Sequence, residues 1–373
     1  MTALFEQYPS LHGRMPHIPL GCFPTPVQRC RRLGGRLGVD RLFIKRDDVS
    51  GTPYGGNKIR KLEFLLGEAV EQEKTAVLTY GGAGSNHALA TAVYARQTGT
   101  KCIALLVHQL NARSVGRNLL MHLHLGTDLR FCRSFSSMRR KTLAENIRRR
   151  LVHGSTPYII PMGGTSPLGA AGYVGAGLEL AKQVDEGLLP EPDVAYLPLG
   201  TMGSAVGLAL GFEAAGLRTR VAAVRVVDGS LANWRNAARL FDETNAYIAA
   251  LDGSFGRYEP TAGRLTIVDD FFGGMYGRYT PEGAAAVRMM AETEGLRLEG
   301  TYTGKALAAL VSHAGAGLLE GETVLFWNTY NSRDFSGEID GLDYRRLPKA
   351  FHRYFETDVQ PLDRGADSGE ATV

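Results

Sequence analysis

The stretch Tyr54-Gly55-Gly56-Asn57-Lys58-Ile59-Arg60-Lys61-Leu62-Glu63-Phe64 sets a lysine between a glycine turn and the start of a helix. Before it, Leu42-Phe43-Ile44-Lys45-Arg46 reads as a short strand and Asp47-Asp48-Val49-Ser50-Gly51 as a loop. After it, Leu62, Leu65, Leu66 and Ala69 fall at helical spacing, which puts Lys58 in the first turn. An ammonium there meets the positive end of the helix dipole. That favours the neutral amine, the form that attacks a carbonyl. A solvated basic turn of Lys58, Arg60 and Lys61 fits this window equally well, so windows further along the chain must decide.

From Thr75 onward, strand-like runs alternate with helical patterns. Ala76–Tyr80, Ile103–Val107, Leu129–Phe131, Tyr158–Ile160, Val194–Leu197, Val221–Val227, Leu265–Val268 and Val324–Trp327 are expected strands. Helices are expected near 86–98, 114–125, 168–184, from 204, near 230–241, 281–294 and 305–313. This βαβ rhythm implies parallel sheets covered by helices. Ligands of such sheets bind beyond the carboxyl ends of the strands, in the turns that lead into helices.

Three glycine-rich turns occupy that position. In Gly81-Gly82-Ala83-Gly84-Ser85-Asn86-His87, Ser85 can cap the next helix while Asn86 and His87 face the cleft. A structural role for His87 is favoured over that of a general base. In Pro161-Met162-Gly163-Gly164-Thr165-Ser166-Pro167, helix initiation at Pro167 is a sufficient explanation. The third, Leu197-Pro198-Leu199-Gly200-Thr201-Met202-Gly203-Ser204, combines backbone N–H groups at a helix start with two hydroxyls. It suits a phosphate dianion without a basic side chain. Gly200, Gly203 and Gly207 loosely imitate a dinucleotide fingerprint, but only Asp228 could serve as its acidic partner, and no P-loop lysine follows.

The chain has 373 residues, long enough for two domains that share a cleft, and its net charge of +4 is too weak and mixed to indicate nucleic acid or a membrane surface. The basic run Arg139-Arg140-Lys141 with Arg148-Arg149-Arg150 lies in a helical pattern with Leu143, Ile147 and Leu151 and reads as a solvated face. Cys22, Cys30, Cys102 and Cys132 show no metal or disulfide spacing, so no metal is expected. No apolar window is long enough to span a bilayer and no targeting segment opens the chain, so a cytoplasmic location is expected. Residues 356–373 are poor in apolar side chains and are expected to form a disordered tail.

Taken together, GGNKIRKLEF, GSNHALA, MGGTSPLGAAGYV, LGTMGSAVGLALG and TYTGKALAAL resemble the D-cysteine desulfhydrase and 1-aminocyclopropane-1-carboxylate deaminase family, over about Leu42 to Thr329. The resemblance implies an α/β, tryptophan-synthase-β-like (fold type II) enzyme with pyridoxal 5'-phosphate in the cleft between two doubly wound open-sheet domains. It implies a larger domain from residues 1–58 and 171–355 and a smaller one from 59–170. Lys58 becomes the Schiff-base lysine and proton shuttle, and Ser85, Tyr276 and Tyr302 face the substrate. Asn57, Asn86, Gly200, Thr201, Met202, Gly203, Ser204 and Thr329 hold the cofactor. A small-molecule amino-acid substrate and a homodimer are the expected partners.

The expected reaction is β-elimination from a β-substituted alanine to pyruvate and ammonia. Cyclopropane ring opening and a catalytically silent amino-acid-binding relative are the alternatives. Thr303 stands where the deaminase branch carries glutamate, so a hydroxyl of Thr303 or Thr329 is expected at the pyridine nitrogen, favouring elimination. Two departures from the family pattern bear on substrate choice. Gly84 replaces a glutamine and opens space, while Thr329-Tyr330-Asn331-Ser332 replaces a Thr-Gly-Gly turn and brings Tyr330, Asn331 and Arg333 towards the substrate, unless Arg333 forms a surface pair with Asp334.

Overall fold

The alternating apolar runs assemble into two sheets in a computed structural model that describes residues 2–364. The strands are β1 (Val27–Arg29), β2 (Arg41–Lys45), β3 (Ala76–Gly82), β4 (Lys101–Val107), β5 (Asp128–Cys132), β6 (Tyr158–Ile159), β7 (Val194–Leu199), β8 (Arg220–Arg225), β9 (Leu265–Val268) and β10 (Thr323–Trp327). One sheet has the order β1-β2-β10-β7-β8-β9, and the other β5-β4-β3-β6. Every pairing is parallel except β1 with β2. Strands β7 and β10 are buried along their whole length, as parallel strands covered on both faces must be.

The expected strands are all present, and β1, too short to register as a pattern, is added at an edge. The helix expected near 230–241 runs instead over Trp234–Leu251. Asn233 caps it by accepting from the Asn236 N–H, and Asp228 just before it spends its carboxylate on the Ser230 N–H and hydroxyl. Asp228 thus shapes the turn that leads into this helix. In the Phe135–His153 helix, Leu143, Ile147 and Leu151 face outwards while Met138, Glu145 and Arg149 are buried.

The helices Lys58–Glu71 and Pro167–Asp185 lie against each other near the cleft, and a Cβ at Gly172 would stand 1.9 Å from the Arg60 carbonyl oxygen. Only glycine permits that approach. Beneath the contact lies a buried polar cluster. Arg60 donates to Asp47 (2.8 Å) and Glu179 (2.9 Å), Lys45 donates to Glu179 (2.6 Å) and Gln183 (2.5 Å), and Asp47 also accepts from Tyr173 (2.7 Å) and Trp327 (2.8 Å). It joins β2, β10 and both helices two residues from Lys58.

The expectation of a disordered tail from 356 fails over 357–364. Gln360 donates to the carbonyls of Asn111 and Gly277, each at 3.0 Å, and accepts from the Tyr279 N–H. Asp363 accepts from the Arg113 N–H. Hydrogen bonding thus orders a segment whose apolar content could not. Residues 365–373 of that expected tail lie outside the described residues. No helix among the described residues is long and apolar enough to cross a membrane, and the four cysteines are free thiols.

Candidate active site

A cavity of about 610 Å³ opens where the carboxyl ends of the two sheets meet, within the range of small-molecule sites. Lys58, Ser85, Tyr276, Tyr302, Asn57, Asn86, Gly200, Thr201, Met202, Ser204 and Thr329 all line it, and Gly203 adjoins them in the same loop. Thus residues chosen from turns more than two hundred positions apart converge on one space.

Gly56 adopts φ +92°, and the turn it makes is clamped from the last loop: the Gly55 N–H donates to Asn331 Oδ1 (2.6 Å) and the Asn57 N–H to the Thr329 carbonyl (3.2 Å). Lys58 is then the first residue of its helix. Its Nζ donates to Asn57 Oδ1 (2.9 Å), and Asn57 Nδ2 donates to Ser204 Oγ (2.9 Å), so one asparagine ties the amine to the phosphate-type loop. Loss of hydration lowers the Lys58 pKa to about 8, with Glu299 opposing the shift. Lys305, the lysine of the TYTGKALAAL motif, donates to the Phe272 carbonyl (2.6 Å) and does not line the cavity.

The loop at the start of the Gly203–Ala214 helix places Met202 at φ +68°, a conformation rare outside glycine that turns successive N–H groups into a concave anion site. Thr165 donates to Thr201 (2.7 Å), and Gly163 must lack a side chain because its Cβ would lie 2.0 Å from Thr201 Oγ1. The second glycine-rich turn therefore buttresses the third. The loop is expected to suit a phosphate without needing a basic side chain, and the fold sets the Lys61 amine beside it. Lys61 is 1% exposed, and its Nζ lies 2.9 Å from where a Gly203 Cβ would stand. It donates to the Gly163 carbonyl (3.2 Å), and burial, then Lys58, drives its pKa well below the ordinary lysine value. A phosphate dianion beside it would favour the protonated amine and oppose that shift.

Ser85 caps the Asn86–Gln97 helix, accepting from the Ala88 N–H (3.2 Å). Asn86 Oδ1 accepts from Asn118 Nδ2 (3.1 Å), which leaves the Asn86 amide hydrogens for the cavity. Asn118, itself fixed to the Gly84 carbonyl, carries no mark in the sequence because it comes from the next βα unit. His87 is buried beside the Pro161 backbone. Desolvation, and then Lys58 and Lys61, holds its pKa well below the usual histidine range. Tyr276 and Tyr302 join hydroxyl to hydroxyl at 2.7 Å, and Lys58 Nζ stands 6.0 Å from the Tyr302 ring centre.

Three further expectations change. Gly84 opens no space: a Cβ there would meet Val115 at 2.8 Å and Gln109 Nε2 at 3.0 Å, and Gln109 Oε1 accepts from the Gly84 N–H (3.0 Å). Thr303 and Thr329 both line the cavity, but Thr303 Oγ1 is engaged by the Glu299 N–H (3.0 Å), whereas the Thr329 hydroxyl has no protein partner among the described residues. Glu299, which no local pattern marks, also lines the cavity. Its carboxylate accepts from the N–H groups of Thr301, Tyr302 and Thr303 (2.8, 2.6 and 3.0 Å). Arg333 turns away from the cavity to Glu338 and the Thr52 and Pro53 carbonyls, and Asp334 caps Ser336 instead of pairing with it.

The chain is similar to D-cysteine desulfhydrase of Klebsiella pneumoniae (strain 342), 34% identical over 304 residues that cover 80% of this chain and 88% of that one. The D-cysteine desulfhydrase of Yersinia pestis (strain Pestoides F) is 34% identical over 311 residues, with the same coverage. A crystal structure of an ACC deaminase homologue superposes with a TM-score of 0.75 at 31% identity, covering 90% of this chain and 97% of the other. Processed threonine deaminase isoform 2 from Solanum lycopersicum shares the fold at a TM-score of 0.60 and 16% identity, covering 91% of this chain and 92% of its own. Residues 18–329 match the family described as pyridoxal-phosphate dependent enzyme, and this range contains the lysine, the anion loop and both tyrosines. The chain therefore belongs to the pyridoxal-phosphate dependent enzyme family.

Proposed function

We propose that the protein is a pyridoxal-phosphate-dependent lyase that removes the β-substituent of a substituted alanine and releases pyruvate and ammonia, as a D-cysteine desulfhydrase does. The observation that carries this reading is a Lys58 amine bound through Asn57 to the anion loop, in a cavity shared with a tyrosine pair. When bound, the cofactor supplies the electron sink for bonds at the substrate α-carbon. Lys58 takes the α-proton, and the C–H electron pair becomes the Cα=Cβ bond as the β-substituent departs with its own pair. The aminoacrylate then takes up water to give pyruvate and ammonia.

In this reading Gly200 to Ser204 and Lys61 would hold the phosphate, and the Asn86 amide would donate to the ring's phenolic oxygen. Ser85 meets the substrate carboxylate, and the tyrosine pair faces the leaving group. A hydroxyl, Thr329, meets the pyridine nitrogen. The four-stranded sheet, whose strands fall within 76–159, supports a smaller lobe of residues 59–170. A homodimer is the expected assembly, checked by sedimentation equilibrium.

The test is release of pyruvate and ammonia from D- and L-cysteine, β-chloroalanine and 1-aminocyclopropane-1-carboxylate. Activity confined to the cyclopropane substrate, giving 2-oxobutyrate, would establish the ring-opening alternative, which the similarity to the ACC deaminase homologue supports. Turnover of none would favour the silent relative.

Two further outcomes follow from the geometry. Only the neutral amine is nucleophilic, so the rate at which apoprotein takes up pyridoxal phosphate should rise about tenfold per pH unit below 8 and level off above it. Stopped-flow absorbance reads this, and a flat profile from pH 6 to 9 would remove Lys58 as the titrating group. Asn118→Ala frees the Asn86 amide to rotate and is expected to weaken cofactor affinity roughly tenfold, about 1–1.5 kcal/mol. Equilibrium dialysis measures it.

A further inference from the structure

Tyr330 and Asn331 line one edge of the cavity, and Arg117 stands behind Tyr330. Arg117, on the Arg113–His124 helix, donates through Nη2 to the Tyr330 hydroxyl oxygen (2.8 Å). Its Nε is buried with no partner among the described residues, and its electrostatic neighbours are the phenols of Tyr330, Tyr54 and Tyr279. Among the described residues no carboxylate pairs with it, in contrast to Arg60, which holds two. A partly buried guanidinium with no carboxylate beside it gains from an anion nearby.

The hydrogen bond has a direction with a consequence. The Tyr330 oxygen accepts from Arg117, so the phenol's own hydrogen remains free, and Tyr330 lines the cavity with Lys58, Ser85 and Tyr302. Asn331 spends its Oδ1 on the N–H groups of Gly55 (2.6 Å) and Arg333 (3.3 Å), leaving its Nδ2 without a partner among the described residues. A phenol polarised by a cation, an amide NH₂ and the guanidinium behind them are all donors. Such a set matches an oxyanion, which offers acceptors only, and gains little from a thiol or a halogen.

We infer that Tyr330 and Asn331, with the Arg117 guanidinium polarising the Tyr330 phenol from behind, form a subsite for an oxyanionic β-substituent, so that the substrate is an alanine whose leaving group is a sulfonate or a phosphate ester. The assignment rests on the elimination reading above and specifies its substrate class. The balance is unchanged: the α-proton goes to Lys58, the C–H pair forms the Cα=Cβ bond, and the Cβ–S or Cβ–O pair leaves on sulfite or phosphate. No oxidant or reductant is required. Arg117 acts here as a specificity-determining residue.

The experiment compares kcat/KM of the holoenzyme on both enantiomers of cysteate and O-phosphoserine with that on β-chloroalanine, whose β-group is neutral. In Arg117→Met the ratio of oxyanionic to neutral substrate should fall about 100-fold, and in Tyr330→Phe about tenfold, with Arg117→Lys restoring part of the loss. Equal losses on both substrates in every variant would reduce Arg117 to a scaffold residue and overturn the subsite. Wild-type turnover of β-chloroalanine without turnover of any oxyanionic substrate would overturn it while leaving the elimination reading intact. A second arm is calorimetric titration of the holoprotein with 3-sulfopropanoate, which lacks the amine and cannot react. Binding by wild type that weakens at least about tenfold in Arg117→Met supports the subsite even if no substrate turns over, which would remove the elimination reading alone. Absence of wild-type binding counts against the subsite.

Discussion

Lys58→Ala is expected to lose the visible absorbance of the holoprotein and to lower turnover by at least about 10³-fold, because one substitution removes both the point of covalent attachment and the group that moves the α-proton. No neighbouring amine can replace it. Lys61 is confined beneath the anion loop at the Gly163 carbonyl, and Lys305 is bound to the Phe272 carbonyl away from the cavity. Lys305→Ala should therefore keep the absorbance, and Lys61→Ala should keep it only at higher cofactor concentration. If Lys58→Ala retained both the band and turnover, the site would have to be rebuilt around another lysine. Fold integrity of the variant is checked by its circular dichroism.

Residues whose chemistry depends on their immediate neighbours in the chain are legible from the sequence. Lys58 is marked by a glycine turn and a helix start, the anion loop by three glycines and two hydroxyls, and the strands by their apolar runs. Their helpers are not legible in this way. Lys61 reads as one more base in a basic turn until the fold sets it against Gly203, a hundred and forty residues away. Asn118 and Arg117 sit in an ordinary amphipathic pattern, and the sequence has no feature that distinguishes them from solvent-facing residues. Gln109 is instructive in the same way. Gly84 reads as a deletion of bulk, yet the neighbouring βα turn returns a glutamine to the spot, so pattern departures in one loop cannot be interpreted without the loop beside it. The same limit explains 357–364, where the segment is ordered by hydrogen bonds to Asn111, Arg113 and Gly277 rather than by apolar content.

The largest effect on stability is expected from Glu179→Gln, about 3–5 kcal/mol, although the change is isosteric and touches neither substrate nor cofactor. Lys45, Arg60, Asp47 and Glu179 are all at most 5% exposed and their formal charges cancel. The substitution leaves two buried cations facing one carboxylate. Burial alone would raise the Glu179 pKa, but Arg60 and Lys45 overcome it and hold the value at about 2. A carboxyl depressed in the folded state contributes stability that is present in full above its unfolded value, near ~4.3, and is lost as pH falls towards the folded one. Wild type should therefore lose this contribution between about pH 4 and 2, and Glu179→Gln should show a flatter acid limb. The double change Lys45→Met with Glu179→Met removes a cation and an anion together, so it should cost less than the sum of the single changes by more than about 1 kcal/mol. Urea unfolding midpoints measure all of these proteins, and additive losses would show that the pair is not coupled. Arg60 connects this cluster to function, because it stands two residues from Lys58 on the same helix and is held to Asp47 at the end of β2. A Glu179→Gln protein that still folds should accordingly lose cofactor occupancy at a lower urea concentration than it loses helix, since the first turn bearing Lys58 is what the cluster fixes in place.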